Sequence, residues 1–278
     1  MSRYISDLAV AEYDRDVKKE YAATPQMREL VKVKTGVVGT TVRFQKSAQG
    51  AATQKVMQAD VVPMNIDYSS VTASLVDWNA PEYTDIFDKS KVNFDEKREL
   101  VELSAAAIGR REDQIIIDAL ETGAVTLTVA SSVGTATTMN TAKFRDAKRQ
   151  LDYYNVPGMD RAMVMSSEAL FDMLGDDDAD TFDKNAVKAL VSGELTNWLG
   201  FKIHTVGYMA EGGLPLATND RTAFAFHKGS LGYAMSMGMH SEINYIAQKT
   251  SWLVNTMFSA GAIAIDAYGM VAITHVES

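Results

Sequence analysis

The sequence predicts an α+β protein in which helices and strands follow one another in mixed order. Three observations carry this. Residues 93–123 hold one long amphipathic helix, residues 36–78 alternate as strands around a small-residue turn, and the stretch 200–276 is rich in strands with no helix between them. Regular strand–helix alternation, the mark of a parallel α/β fold, is therefore missing.

The helix NFDEKRELVELSAAAIGRREDQIIIDALETG (93–123) is expected to be helical over 95–121. Asn93 and Asp95 can accept from its first free N–H groups, and Glu96 and Glu99 place negative charge at the positive end of its dipole. Leu100, Leu103, Ala107, Gln114, Ile117, Ala119 and Leu120 recur on one side, with Ile115 and Ile116 widening the apolar face. Gly123 is expected to close it with a positive φ. At about 1.5 Å per residue such a rod is roughly 40 Å long, which suits a scaffold.

Before the helix, residues 1–35 mix charge with Tyr4, Ile5, Leu8, Val10, Tyr13, Val17 and Tyr21, and Pro25 interrupts a patchy helical spacing. They read as an arm of short helical pieces whose apolar side chains need a partner surface. The alternative is a first helix packed on the chain's own core. GVVGTTVRFQKS (36–47) reads as a strand, AQGAAT (48–53) as a turn, QKVMQADVV (54–62) as a second strand and MNIDYSSVTASLVDW (64–78) as a third. A two-stranded ribbon is marginal alone, so it is expected to lie on its own body or on a neighbouring chain.

After the helix, VTLTVASSVGTA (125–136) is strand-like. Asn140 and Thr141 cap a helix that ends before Pro157-Gly158. RAMVMS (161–166) reads as a short buried strand, Ser167 opens another helix, and 176–200 carries a further helix and a turn. GFKIHTVGYM (200–209), the region 222–248 and the region 251–276 supply the remaining strands.

Composition narrows the chemistry. The chain has 278 residues, 27 basic and 36 acidic, a net charge of −9, and no cysteine. Broad neutralisation of nucleic-acid phosphates needs a basic face, which this balance disfavours. Without cysteine there is no disulfide, thiolate nucleophile or thiolate metal site. No signal-peptide core and no run of roughly 18 apolar residues occurs, so a soluble cytosolic protein with no membrane contact is expected.

The search for a reaction centre finds none. His204, His227, His240 and His275 stand apart on strand-like segments, without metal-ligand spacing. Asp176, Asp177, Asp178 and Asp180 would need Gly and Glu where Thr181 and Val187 stand to be a calcium loop, and read as solvated acid. Ala234-Met235-Ser236-Met237-Gly238 is a near miss of a nucleophile elbow, set in a strand rather than a strand-to-helix turn. Met235, Met237 and Met239 are expected to line one strand face as adaptable packing. Lys228-Gly229-Ser230 lacks the glycine spacing of a phosphate loop. Arg110 and Arg111 adjoin Glu112 and Asp113, so ion pairing is expected ahead of phosphate contact. No cofactor or metal is implied.

The order of these parts resembles the major capsid proteins of tailed bacteriophages, in pattern the short-tailed T7-like group. The resemblance rests on the ribbon end with Ile66, Asp67, Ala73, Leu75, Val76 and Asp77, on AAAIGRREDQIIIDAL (105–120), on GELTNWLGFKIHTV (193–206), and on SWLVNTMFSAGAIAIDAYGMVAI (251–273). It implies an HK97-like fold: an N-terminal arm (1–35), an extended E-loop (36–76), a P-domain (77–136 and 249–278) built on the spine helix 95–121, and an A-domain (137–248). It implies hexamers and pentamers in an icosahedral shell that encloses double-stranded DNA without reading its sequence. It also implies a virion location after assembly in the bacterial cytoplasm, and a portal and a decoration protein as partners. The absence of a long N-terminal extension implies a separate scaffolding protein. Lys46 and Lys55 flank the ribbon tip, but neither an acidic catalyst nor a partner for cross-linking can be aligned. Assembly contacts are expected at Phe44, Lys46, Gly50, Lys55, Arg110 and Arg111. The same fold would also suit an encapsulin-like protein compartment. From another class, a monomeric hydrolase could use Asp113 and Asp118.

Overall fold

The long helix α1 runs over Glu96–Gly123, 28 residues, and one cluster of its side chains touches both main sheets. In this computed structural model the described residues are 27–58, 60–86, 96–134, 136–175, 197–208 and 210–277, with the backbone alone for 96–99. The proposed caps Asn93 and Asp95, the side chains of Glu96 and Glu99, the acidic stretch from Asp176, the helix expected within 176–196 and residues 1–26 of the arm lie outside them.

Two sheets form the body. The first has four strands in the order β1 (Lys32–Thr35), β11 (Leu231–Ile246), β12 (Ser251–Ala264) and β4 (Val76–Asp85). β1 runs parallel to β11, and the other neighbours are antiparallel. The second takes the order β5 (Thr128–Val129), β13 (Met270–Val276), β10 (Asp220–His227), β6 (Arg161–Ser166), β8 (Phe201–Val206) and β7 (Asn197–Trp198), with β9 (Leu216–Ala217) also on β10. Parallel pairs (β6 with β8, β13 with β5) sit beside antiparallel ones, as mixed element order foretells.

Alternation explains the layers. Ala162, Val164, Phe224, Phe226 and Met270 face one way and join Ile116, Ile117 and Leu120 of α1, together with Tyr233, Phe258 and Ala260 of the four-stranded sheet. Met163, Met165, Ala223, Ala225, Val271 and Ile273 face the other way. There they meet Phe144, Ala147 and Leu151 of helix α2 (Thr141–Tyr153) and Ala169 and Met173 of helix α3 (Ser167–Leu174). Covered on both faces, β6 buries all six of its residues, the pattern of a central strand. Asn140 caps α2 through Lys143 N–H at 2.9 Å. Ser166, one residue before the expected start, caps α3 through Ala169 N–H at 3.1 Å.

The ribbon differs from its sequence reading. β2 (Thr41–Ser47) pairs with β3 (Tyr68–Ser74), not with 54–62. The described residues of 48–67 hold no regular strand, and Gln58 and Asn65 take positive φ. Alternation alone cannot make a strand where no edge receives it. The third expected strand is split at Leu75: its first part stays with the hairpin, and β4 crosses to β12. Among the described residues of 125–136 only Thr128–Val129 is strand.

Three smaller expectations are corrected as well. Gly123 has no positive φ; a Cβ there would lie 2.4 Å from Ala264 Cβ and 2.7 Å from Met270 Cε, so glycine serves the close approach of helix and strands. Leu103, placed on the apolar face, is exposed. Register shifts at Met235/Met237 and Met237/His240 break the single face expected for the three methionines, leaving Met237 and Met239 exposed.

Residues 27–35 are integral to the body. Met27, Leu30 and Val31 are buried against α1 and the sheets, and Met27 N–H donates to Asp113 at 3.1 Å.

Candidate functional site

The β2–β3 hairpin is packed on the body at its root and continues outward into exposed residues. Val42, Phe44 and Ala73 face inward and join Ala234 and Ile265 in a small cluster. Gly232 and Gly261 permit this: a Cβ on Gly232 would lie 2.8 Å from the Phe44 ring, and one on Gly261 2.1 Å from Ser74 O. Sequence reasoning missed both glycines, because close approach leaves no local signal. Farther out, Lys46 Nζ pairs with Asp266 Oδ1 at 2.8 Å. Beyond that pair the stretch 48–67 exposes Val56, Met57, Val61, Val62 and Met64.

The expected assembly residues fall in three places. Phe44 is fully buried inside its own chain. Gly50 and Lys55 stand exposed on the outer stretch, with Lys46 half-exposed at its root. Arg110 and Arg111 lie on α1. Arg111 pairs with Glu211 at 2.6 Å and lies 4.3 Å over the Trp78 ring. Arg28 approaches Glu112 at 3.8 Å. Arg111 and Glu112 of the charged step therefore pair with a loop and with the N-terminal stretch. The structure does not gather the six residues into one site.

Buried chemistry was also missed. Ser166 donates to Glu277, Arg221 Nε donates to Glu277 at 2.6 Å and Arg221 Nη1 to Leu214 O at 2.9 Å, and His275 Nε2 lies 3.6 Å from Glu277. These residues are scattered along the chain, so no spacing announces them. A nucleophilic triad sets imidazole between hydroxyl and acid; here the carboxylate stands in the middle and the hydroxyl also caps α3. The cluster ties the chain's last residues to the sheet.

Its electrostatics agree with that role. Burial would raise Glu277, but hydrogen bonds from Ser166 and Arg221 and the nearby positive charge outweigh it and hold the carboxyl low. Burial lowers His275, with Glu277 opposing. Asp172 is raised by burial and by the carboxylates Glu168 and Glu277. Burial and the carboxylate of Glu112 push the Tyr233 phenol up. Burial also lowers His204 and His227. His227 is the acceptor of the Gly229 N–H at 3.1 Å, which keeps Nδ1 unprotonated.

The hydrolase carboxylates are spoken for. Asp113 accepts from Met27 N–H, and Asp118 accepts from Gln114 at 2.6 Å. Among the described residues no group of three or more potential ligands is placed to hold a metal ion. No described helix is long and apolar enough to cross a membrane.

The long helix packs between two sheets, and the hairpin ends in exposed apolar residues. The chain belongs to the phage capsid protein family, whose profile matches residues 5–277. No curated protein matches its sequence. Among solved structures, the head of Helicobacter pylori bacteriophage KHP40 superposes with a TM-score of 0.78 at 12% identity, covering 95% of each chain. The capsid of cyanophage P-SCSP1u superposes at 0.76 with 14% identity, covering 96% of this chain and 92% of that one. Mycobacterium phage Che8 gives 0.68 at 17%, covering 94% and 95%. The fold is HK97-like, and the protein is a structural capsid subunit.

Proposed function

We propose that many copies of this chain, as hexamers and pentamers, close an icosahedral shell around the double-stranded DNA of a tailed phage, patterned like the short-tailed T7-like group. Shells form in the cytoplasm of the bacterial host with a separate scaffolding protein, and the virion adds a portal and a decoration protein. The chain performs no catalysis. In this reading residues 1–35 are the arm, 36–76 the E-loop, 77–136 with 249–278 the P-domain, and 137–248 the A-domain. The last two share hydrogen bonds, since β11 pairs with β12 and β13 with β10.

The carrying observation is the exposed apolar stretch 48–67 on a hairpin rooted in its own body. Exposed apolar surface of this kind marks an interaction site, and a repeated subunit offers one partner in plenty. Lys46, Gly50 and Lys55 then contact the neighbour directly, while Phe44 acts by fixing the root. Arg110 and Arg111 contribute at a second subunit contact. The net charge of −9 keeps the lining from gripping the genome.

Deleting residues 47–54 tests this. The expected product is a folded subunit that assembles poorly, seen by light scattering and negative-stain imaging. Shells formed in normal yield would overturn the reading. Arg110→Ala with Arg111→Ala should lower shell yield more than thermal stability.

A further inference from the structure

We infer that the cavity beside β1 is a docking groove for an extended, carboxylate-rich peptide segment of a partner protein. The cavity measures about 980 Å³ and is lined by the continuous stretch Arg28–Val33 with Asp160, Arg161, Ala162, Lys202 and Lys228. Its charged lining comprises the cations Arg28, Lys32, Arg161, Lys202 and Lys228 against the anions Glu29 and Asp160. That is a local excess of three positive charges (5 − 2) in a chain whose net charge is −9. Two of the cations are engaged: Arg161 is buried and pairs with Asp152 at 2.7 Å, and Arg28 leans toward Glu112 at 3.8 Å. Among the described residues Lys32, Lys202 and Lys228 have no ion pair; with Arg28 and Arg161 turned to carboxylates outside the lining, these three ammonium groups stand against Glu29 and Asp160 and leave an excess of one positive charge (3 − 2).

The backbone identifies the kind of anion. β1 pairs with β11 on one side and with no described strand on the other, and all four of its residues are exposed. A free strand edge presents alternating N–H and C=O groups that another polypeptide strand satisfies. A strand laid there would aim every second side chain the same way, about 6.6 Å apart, so spaced carboxylates could reach separate lysines. Glu29 and Asp160, set among the cations, would oppose the unbroken charge of a phosphate chain but leave gaps that a spaced row of carboxylates tolerates. A nucleic acid, moreover, has no backbone to continue the sheet. The groove does not depend on shell formation, and its occupancy can be read on the unassembled subunit.

The probe is a fluorescent peptide of about six residues, a common strand length, alternating Glu with Val or Thr, whose anisotropy is followed with the full chain. Binding should weaken at least about tenfold when Lys202→Glu and Lys228→Glu are combined, and should weaken with added salt. Both lysines are exposed, and circular dichroism checks that the variant folds. Methylating alternate backbone nitrogens of the peptide should also abolish binding, which charge attraction alone would not produce. The inference is overturned by absent binding, by binding indifferent to the lysines or to methylation, or by a single-stranded oligonucleotide of equal length that binds more tightly than the peptide.

Discussion

The seven-stranded sheet and the β2–β3 hairpin bury their side chains by different means. β6 sits between two layers and hides all six residues, whereas β2 alternates buried and exposed positions, hiding Val42 and Phe44 while Thr41, Arg43 and Gln45 face water. The first arrangement is complete within one chain. The second is complete only at its root, where Phe44 meets Gly232, and ends in apolar residues without a partner. A body that folds by itself and a projection that needs a neighbour are what a shell subunit must combine, since stability and association then rest on separate residues.

A matched pair of substitutions puts the largest effect on this contrast. Phe201 and Phe44 are both fully buried, but Phe201 packs edge-on to Phe144 at 5.9 Å in the body. Phe201→Ala should cost about 3–5 kcal/mol of global stability, read as a lower denaturant midpoint. Phe44→Ala should instead release the hairpin locally, with amide exchange rising across Thr41–Ser47 and a clearly smaller midpoint shift. Equal midpoint shifts would show one cooperative unit and break the comparison.

Gly261→Ala acts at the joint itself. The added Cβ would stand 2.1 Å from Ser74 O, a backbone atom that cannot swing aside as a side chain would. A cost of about 1–3 kcal/mol is expected, with exchange protection lost in β3 before β12. Protection unchanged in both strands would mean that the close approach is not required.

Acid should weaken the body rather than the hairpin. Glu277 has its pKa lowered in the folded state, so its stabilising contribution is present above the ordinary carboxylate value of 4.5 and is lost as pH falls through the folded value. His275 is also lowered, so the fold favours neutral imidazole and loses stability as pH drops below 6.5 toward the folded value. The two act in the same direction at successive pH ranges. His275→Gln should flatten the upper part of the acid limb and Glu277→Gln the lower, in urea midpoints measured from about pH 7 to about pH 3. An unchanged acid limb in both variants would place the acid sensitivity elsewhere.

How much of this was legible in the sequence depended on distance along the chain. The long helix, the Asn140 cap and the buried RAMVMS strand are set by neighbours a few residues apart, so periodicity and capping chemistry revealed them. The strand expected at 54–62 failed because QKVMQADVV has the alternation of a strand, but among the described residues it lies along no strand edge. Leu75 interrupts a run that reads as continuous because β3 and β4 belong to different sheets, a tertiary choice that alternation does not encode. The glycines at 123, 232 and 261 and the cluster around Glu277 rest on contacts between distant segments. Composition could exclude thiol chemistry, and the ordered series of patterns pointed to the family, but no local rule could place Lys46 against Asp266.

That pair carries the smallest expected effect and marks where the body's grip on the hairpin ends. Lys46 and Asp266 meet at 2.8 Å with side chains 37% and 39% exposed, so water screens most of the attraction and a coupling of at most about 1 kcal/mol is expected. Asp266 also accepts from Tyr268 N–H at 3.3 Å, and Asp266→Ala alone would lose that cap too. A double-mutant cycle with Lys46→Ala separates the two contributions, with exchange protection of Ser47 as the local readout. The coupling should shrink as salt rises. A coupling of several kcal/mol that resists salt would mean that the hairpin is fixed as far out as Ser47, and its free portion would then begin only at Ala48.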